Sequence, residues 1–101
     1  EIYVADQVLD YVAHLAEATR NHELIALGLS PRGTLALVRM AKAAAYMKER
    51  DYVIPKDVQE VFKDVAAHRM ILDSKARYQE KSAREILSEI LADVAEPKVE
   101  G

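Results

Sequence analysis

Between Thr34 and Met47 the only charges are Arg39 and Lys42, and nearly everything else is apolar, with alanine frequent. Alanine combines high helix propensity with thin sides that let neighbours approach. Ser30 and Pro31 stand immediately before this stretch. Serine caps free backbone donors, and proline at the first helical position has no donor to lose. The pattern predicts a long helix over 31–49, placed at the centre of a bundle.

The flanking segments supply what such a helix packs against. Val4, Val8, Tyr11, Val12 and Leu15 recur at helical spacing and leave Asp10, His14 and Glu17 opposite, which predicts a first helix over 5–19. Arg20, Asn21 and His22 break that pattern. Leu24 to Leu29 is too short and too uniformly apolar to read by period, and Gly28 argues against helix, so it reads as a buried connector with room for a short strand. After Arg50-Asp51-Tyr52, Pro55 opens a helix over 55–68 whose apolar face is Val58, Val61, Phe62 and Val65. Asp57 in its first turn suits the helix dipole. Met70, Ile71 and Leu72 form a short apolar run able to pair with Leu24–Leu27 as a two-stranded ribbon. The segment from Asp73 to Lys81 reads as a solvated loop. Ser82 and Glu85 form a capping box, after which Ala83, Ile86, Leu87, Ile90, Leu91 and Val94 trace an apolar stripe as far as Pro97, predicting a helix over 83–95. The expectation is one all-α domain over 1–101, a four-helix bundle with a small two-stranded ribbon.

Several chemistries lack their raw material. Lys and Arg number 14 against 17 Asp and Glu, a formal net charge of -3, which opposes a DNA-binding role. Without cysteine there is no disulfide, thiolate metal site or cysteine nucleophile, a composition that suits a reducing cytoplasm. His22 and Glu23 begin a zincin-like pattern, but position 26 is alanine and no two histidines sit three or four residues apart, so no metal site is expected. The glycines, Gly28, Gly33 and Gly101, cannot build a phosphate loop, and no nucleophile, base and acid set stands out. No apolar run approaches the roughly 18–20 residues of a membrane span. A first residue that is Glu1 rather than methionine reads as the start of an excised fragment.

One residue resists a purely structural reading. Arg32 falls in the first turn of the long helix, where partial positive charge disfavours a cation by about 0.3–1 kcal/mol unless an anion is near. With an anion present, the free donors beside Ser30 and Pro31 and the guanidinium fork reinforce one another, a geometry suited to phosphate. On local physics alone a solvated or surface-paired Arg32 remains the simpler alternative. Arg20 and Arg69 each lie near a helix C-terminus, where a cation is favoured for structural reasons.

Thr19-Arg20, Leu27-Gly28-Leu29-Ser30-Pro31-Arg32-Gly33, Arg50-Asp51-Tyr52-Val53-Ile54-Pro55-Lys56-Asp57-Val58 and His68-Arg69 resemble, in order and spacing, the C-terminal lid of MoxR-family AAA+ ATPases. The likeness covers nearly the whole chain. It implies that Arg32 is the sensor 2 arginine acting on ATP, with Ser30 and Pro31 close to the nucleotide and Arg20 and Arg69 as secondary candidates. It also implies a preceding AAA+ core that supplies the phosphate loop and the Mg2+ ligands, a ring of neighbouring subunits, a hexamer by family habit, and ATP hydrolysis coupled to chaperone-like maturation of clients. Partners carrying a von Willebrand factor A domain accompany such proteins. The sequence departs from the family pattern at Leu29 and Gly33, where alanine is common, and at Ile54, where a capping threonine is usual, so a slightly less stable lid is expected. Two other readings of the residues stand beside this one. A histone-fold-like interaction module shares the long central helix followed by an extended turn and Pro55. A helix-turn-helix DNA binder would use Arg32, Arg39, Lys42, Lys48 and Arg50 as a basic face.

Overall fold

The computed structural model describes residues 1–98. Helix α1, Asp6–Arg20, starts without a side-chain cap but with Asp6 in its first turn, and buries Val8, Tyr11, Val12, Leu15, Ala16 and Thr19 along one face. The connector then forms a short strand, β1, Ile25–Leu27. Ser30 Oγ accepts from the Gly33 amide at 3.1 Å and so caps helix α2, Pro31–Met47. Helix α3, Pro55–Ala67, follows, then strand β2, Ile71–Leu72, helix α4, Ser74–Tyr78, and helix α5, Ala83–Asp93. β1 and β2 pair antiparallel, Ile25 opposite Leu72 and Leu27 opposite Ile71, as the expected ribbon.

The helical bundle has α2 against α3 as its most extensive contact, with α5 laid across α3 and α1. Tyr11, Leu15, Leu29, Leu37, Phe62, Ile86 and Leu87 fill the centre, all fully buried. The α5 capping box forms as its sequence implies: Ser82 Oγ accepts from Glu85 N at 3.2 Å, and Glu85 Oε1 accepts from Ser82 N at 3.0 Å.

Three local expectations need correction. The segment from Asp73 to Lys81 is not simply a solvated loop. Asp73 Oδ1 accepts from Lys75 N at 2.9 Å and caps the five-residue α4, which buries Ala76. Helix α2 stops at Met47, two residues short of the expected end, and closes in a Schellman turn: Glu49 N donates to Tyr46 O at 2.9 Å, and Arg50 N to Ala45 O at 3.0 Å. Nor is α2 enclosed on all sides. It buries one stripe, Gly33, Leu37, Ala41 and Ala45, while Leu35, Met40, Tyr46 and Met47 are exposed. An apolar composition reveals how much surface wants cover, but not which face receives it within this chain.

The start of α3 is secured by a device unlike a capping threonine. Ile54 has no acceptor in its side chain, and Asp57 Oδ2 instead accepts from the Ile54 amide at 2.9 Å. The same carboxylate, fully buried, takes a bidentate pair from Arg50, Nη1 to Oδ2 and Nη2 to Oδ1, both at 2.7 Å. Arg50 Nη1 also reaches Tyr52 O at 3.0 Å, and its guanidinium lies 5.8 Å from the centre of the Tyr52 ring. Tyr3 joins this turn by donating to Asp51 O at 2.8 Å and accepting from Val53 N at 2.9 Å, which ties the N-terminal segment to the loop between α2 and α3.

Candidate functional site

The start of α2 gathers every residue that sequence reasoning singled out. Ser30 is the cap, Pro31 the first helical residue, and Arg32 the second, and all three are exposed. No acidic residue occupies that first turn, and among the described residues no salt bridge involves Arg32. A cation at the positive end of a helix is disfavoured by about 0.3–1 kcal/mol, a cost that an anion bound there would relieve.

Arg20 and Arg69, distant in sequence, each approach the start of α2. Arg20, the last residue of α1, donates from Nε to Leu29 O at 2.9 Å. Arg69 follows the end of α3, and its side chain lies over Gly33: a Cβ built on that glycine would be 3.2 Å from Arg69 Cδ. Neither forms a salt bridge among the described residues. Arg20, from α1, and Arg69, from the turn after α3, thus reach the residues that flank Arg32 in sequence, Leu29 and Gly33. Beside them an open groove runs between α1 and α2, lined by Ala13, Glu17, Arg20, Pro31, Thr34, Leu35 and Val38. Glu17 is the acidic member of that lining.

Sequence reasoning does not single out Thr19. It is fully buried, donates to Ala16 O at 2.6 Å and accepts from Leu29 N at 2.8 Å. Its signal was present: it continues the stripe of Val8, Val12 and Leu15, and a hydroxyl on a buried stripe must find partners. Among the described residues no group of three or more His, Asp or Glu side chains could hold a metal ion, and no helix is long and apolar enough to cross a membrane.

Comparison with known proteins gives this arrangement a class. Residues 17–90 match the family model described as the AAA lid domain, and the chain belongs to that family. Within it, the chain is a lid of the MoxR type. It is 37% identical to the chaperone MoxR1 of Mycobacterium tuberculosis, with 96% of this chain and 28% of the relative covered, and 39% identical to the protein MoxR of Paracoccus denitrificans, with 84% and 28% covered. An uncharacterised Bacillus subtilis protein, YeaC, is 38% identical, with 91% of this chain and 29% of the relative covered. A crystal structure of a candidate ATPase from Cytophaga hutchinsonii superposes with a TM-score of 0.88 at 34% identity, covering 96% of this chain and 32% of that one. The chain thus spans less than a third of the length of these relatives.

Proposed function

We propose that this lid supplies Arg32 as the sensor 2 arginine of a MoxR-type AAA+ ATPase. The observation that carries the reading is an exposed guanidinium in the first turn of α2 with no carboxylate bridging it among the described residues. These residues fit one part of a nucleotide, its anionic phosphate end. They contain no phosphate loop, so the P-loop and the Mg2+ ligands belong to the AAA+ core of the intact protein. Bound there, ATP with Mg2+ supplies the phosphoryl group.

In this reading Arg32 donates charge-assisted hydrogen bonds to the terminal phosphate oxygens and stabilises the charge that spreads over them at the transition state. Arg69, whose side chain lies over Gly33, adds positive potential around the same helix start. The exposed apolar residues of α2, Leu35 and Met40 among them, offer cover to the core or to a neighbouring subunit of the ring, a hexamer. Once its anionic partner has gone, Arg32 is free to leave, and the lid moves with it. That movement drives chaperone-like remodelling of client proteins in the cytoplasm, together with partners that carry a von Willebrand factor A domain.

The test is Arg32→Ala in the intact protein. Turnover of ATP is expected to fall roughly 100-fold or more with unfolding temperature unchanged, because removing one preorganised transition-state donor costs about that much. Near-normal turnover would remove Arg32 from the mechanism.

A further inference from the structure

We infer that Thr19 and Arg20 are positioning residues, a two-pronged clamp from the last turn of α1 that sets where Arg32 stands. The inference rests on the sensor 2 reading above and adds a structural cause for it. Both polar groups of the Leu29 backbone are taken by consecutive residues of α1: its amide donates to Thr19 Oγ1 at 2.8 Å, and its carbonyl accepts from Arg20 Nε at 2.9 Å. The Thr19 hydroxyl spends its proton on Ala16 O at 2.6 Å, so the oxygen turned toward Leu29 can only accept, and the direction of the clamp is fixed.

The connector also lies directly on the α1 backbone. A Cβ at Gly28 would stand 2.7 Å from Thr19 C, from Thr19 O and from Arg20 N, all backbone atoms that cannot yield. Leu29 itself is fully buried and is followed at once by the Ser30 cap, then Pro31 and Arg32. Between the clamp and the Arg32 backbone there is little freedom: Pro31 fixes its own φ, and Ser30 is held by its bond to Gly33 N. A shift of Leu29 relative to α1 is therefore delivered to Arg32 as a shift of the whole first turn of α2. A rotation of α1 driven from the core side would travel the same way.

A clamp that only stabilised the fold would act whether or not Arg32 were present, so the decisive measurement is a double-mutant cycle on ATP turnover by the intact ATPase. Arg20→Met removes the donor at an exposed position, so the protein should fold with an unchanged unfolding temperature. It is expected to lower kcat roughly tenfold or more, since small misplacements of a catalytic group cost on that order. Combined with Arg32→Ala it should cause no further loss, because Arg20 acts through Arg32. Thr19→Val leaves the buried Leu29 amide without an acceptor, so it should lower the unfolding temperature as well as kcat, again with no further loss of turnover beside Arg32→Ala, and Thr19→Ser, which keeps the oxygen, should restore turnover. If Arg32→Ala lowers turnover while Arg20→Met and Thr19→Val leave kcat near wild type, or if their losses multiply with that of Arg32→Ala, the clamp is overturned and the role of Arg32 survives. If Arg32→Ala itself turns over normally, both fall.

Discussion

A Cβ placed on Gly33 would lie 2.8 Å from Leu29 Cδ1 and 3.1 Å from its Cγ, so Leu29 and Gly33 share one space at the start of α2. Glycine in a helical turn costs up to about 1 kcal/mol against alanine. Against that cost stands the fully buried leucine that the missing methyl group leaves room for.

The pair makes a stability prediction. Gly33→Ala should fail to deliver the usual helix gain and should lower the unfolding temperature. Leu29→Ala should cost about 2–5 kcal/mol through the cavity it leaves. The double variant should cost clearly less than the two singles summed, with a coupling of about 0.5–3 kcal/mol in urea unfolding. Simple additivity would show that the two side chains do not compete.

Asp57 makes the turn before α3 sensitive to acid. Burial pushes its carboxyl up, but the Arg50 guanidinium, the Ile54 amide and Lys48 together hold it below the usual carboxylate range. A folded-state value below the unfolded one, about 3.9, means that its contribution is fully present above that pH and is lost as pH falls through the folded value. Asp57→Asn should therefore destabilise the domain by about 1–3 kcal/mol near neutrality, because the partly exposed Arg50 loses its charge-assisted pair and water replaces only part of it. It should also flatten the loss of stability on acidification below about pH 4. Urea midpoints measured from pH 7 to pH 3 check both, and an unchanged acid limb in the variant would count against this assignment.

Glu49 and Glu80 hold φ of 61° and 54°, the left-handed region, immediately after α2 and α4. Both occupy the position where a Schellman turn favours glycine; Lys81 N donates to Ala76 O at 2.9 Å behind Glu80, as Arg50 N does to Ala45 O behind Glu49. Replacing either by glycine should stabilise the domain by about 0.5–1 kcal/mol, the relieved Cβ strain outweighing the added freedom of the unfolded chain. Thermal unfolding decides the sign, and a drop in midpoint would mean that the glutamate side chains contribute more than their backbones cost.

Those same two residues explain part of what the sequence concealed. α4 is a single short turn with one buried side chain, too brief for a period to emerge, and Glu80 closes it where glycine would have announced the end. α1 and α5 were readable because their apolar stripes run for three turns or more, and α5 carries its capping box in plain view. The ribbon was readable as two short apolar runs but not its register, which depends on the core beneath. At the candidate site, Ser30 and Pro31 are enough to mark Arg32 as a first-turn residue. The clamp was hidden because Thr19 meets Leu29 ten residues later, across a connector with no periodicity. Asp57 was visible as a charge at a helix start, yet its full burial and its bidentate pairing with Arg50 are tertiary facts.

The central claim is that Arg32 meets the terminal phosphate of a nucleotide held elsewhere in the assembled ATPase. A structure of the intact protein with a non-hydrolysable ATP analogue and Mg2+ tests it most directly. The expected result is an Arg32 guanidinium nitrogen about 2.7–2.9 Å from a γ-phosphate oxygen, of its own or the adjacent subunit's nucleotide. An Arg32 side chain turned to solvent or paired with a protein carboxylate, beyond reach of every bound nucleotide, would contradict it.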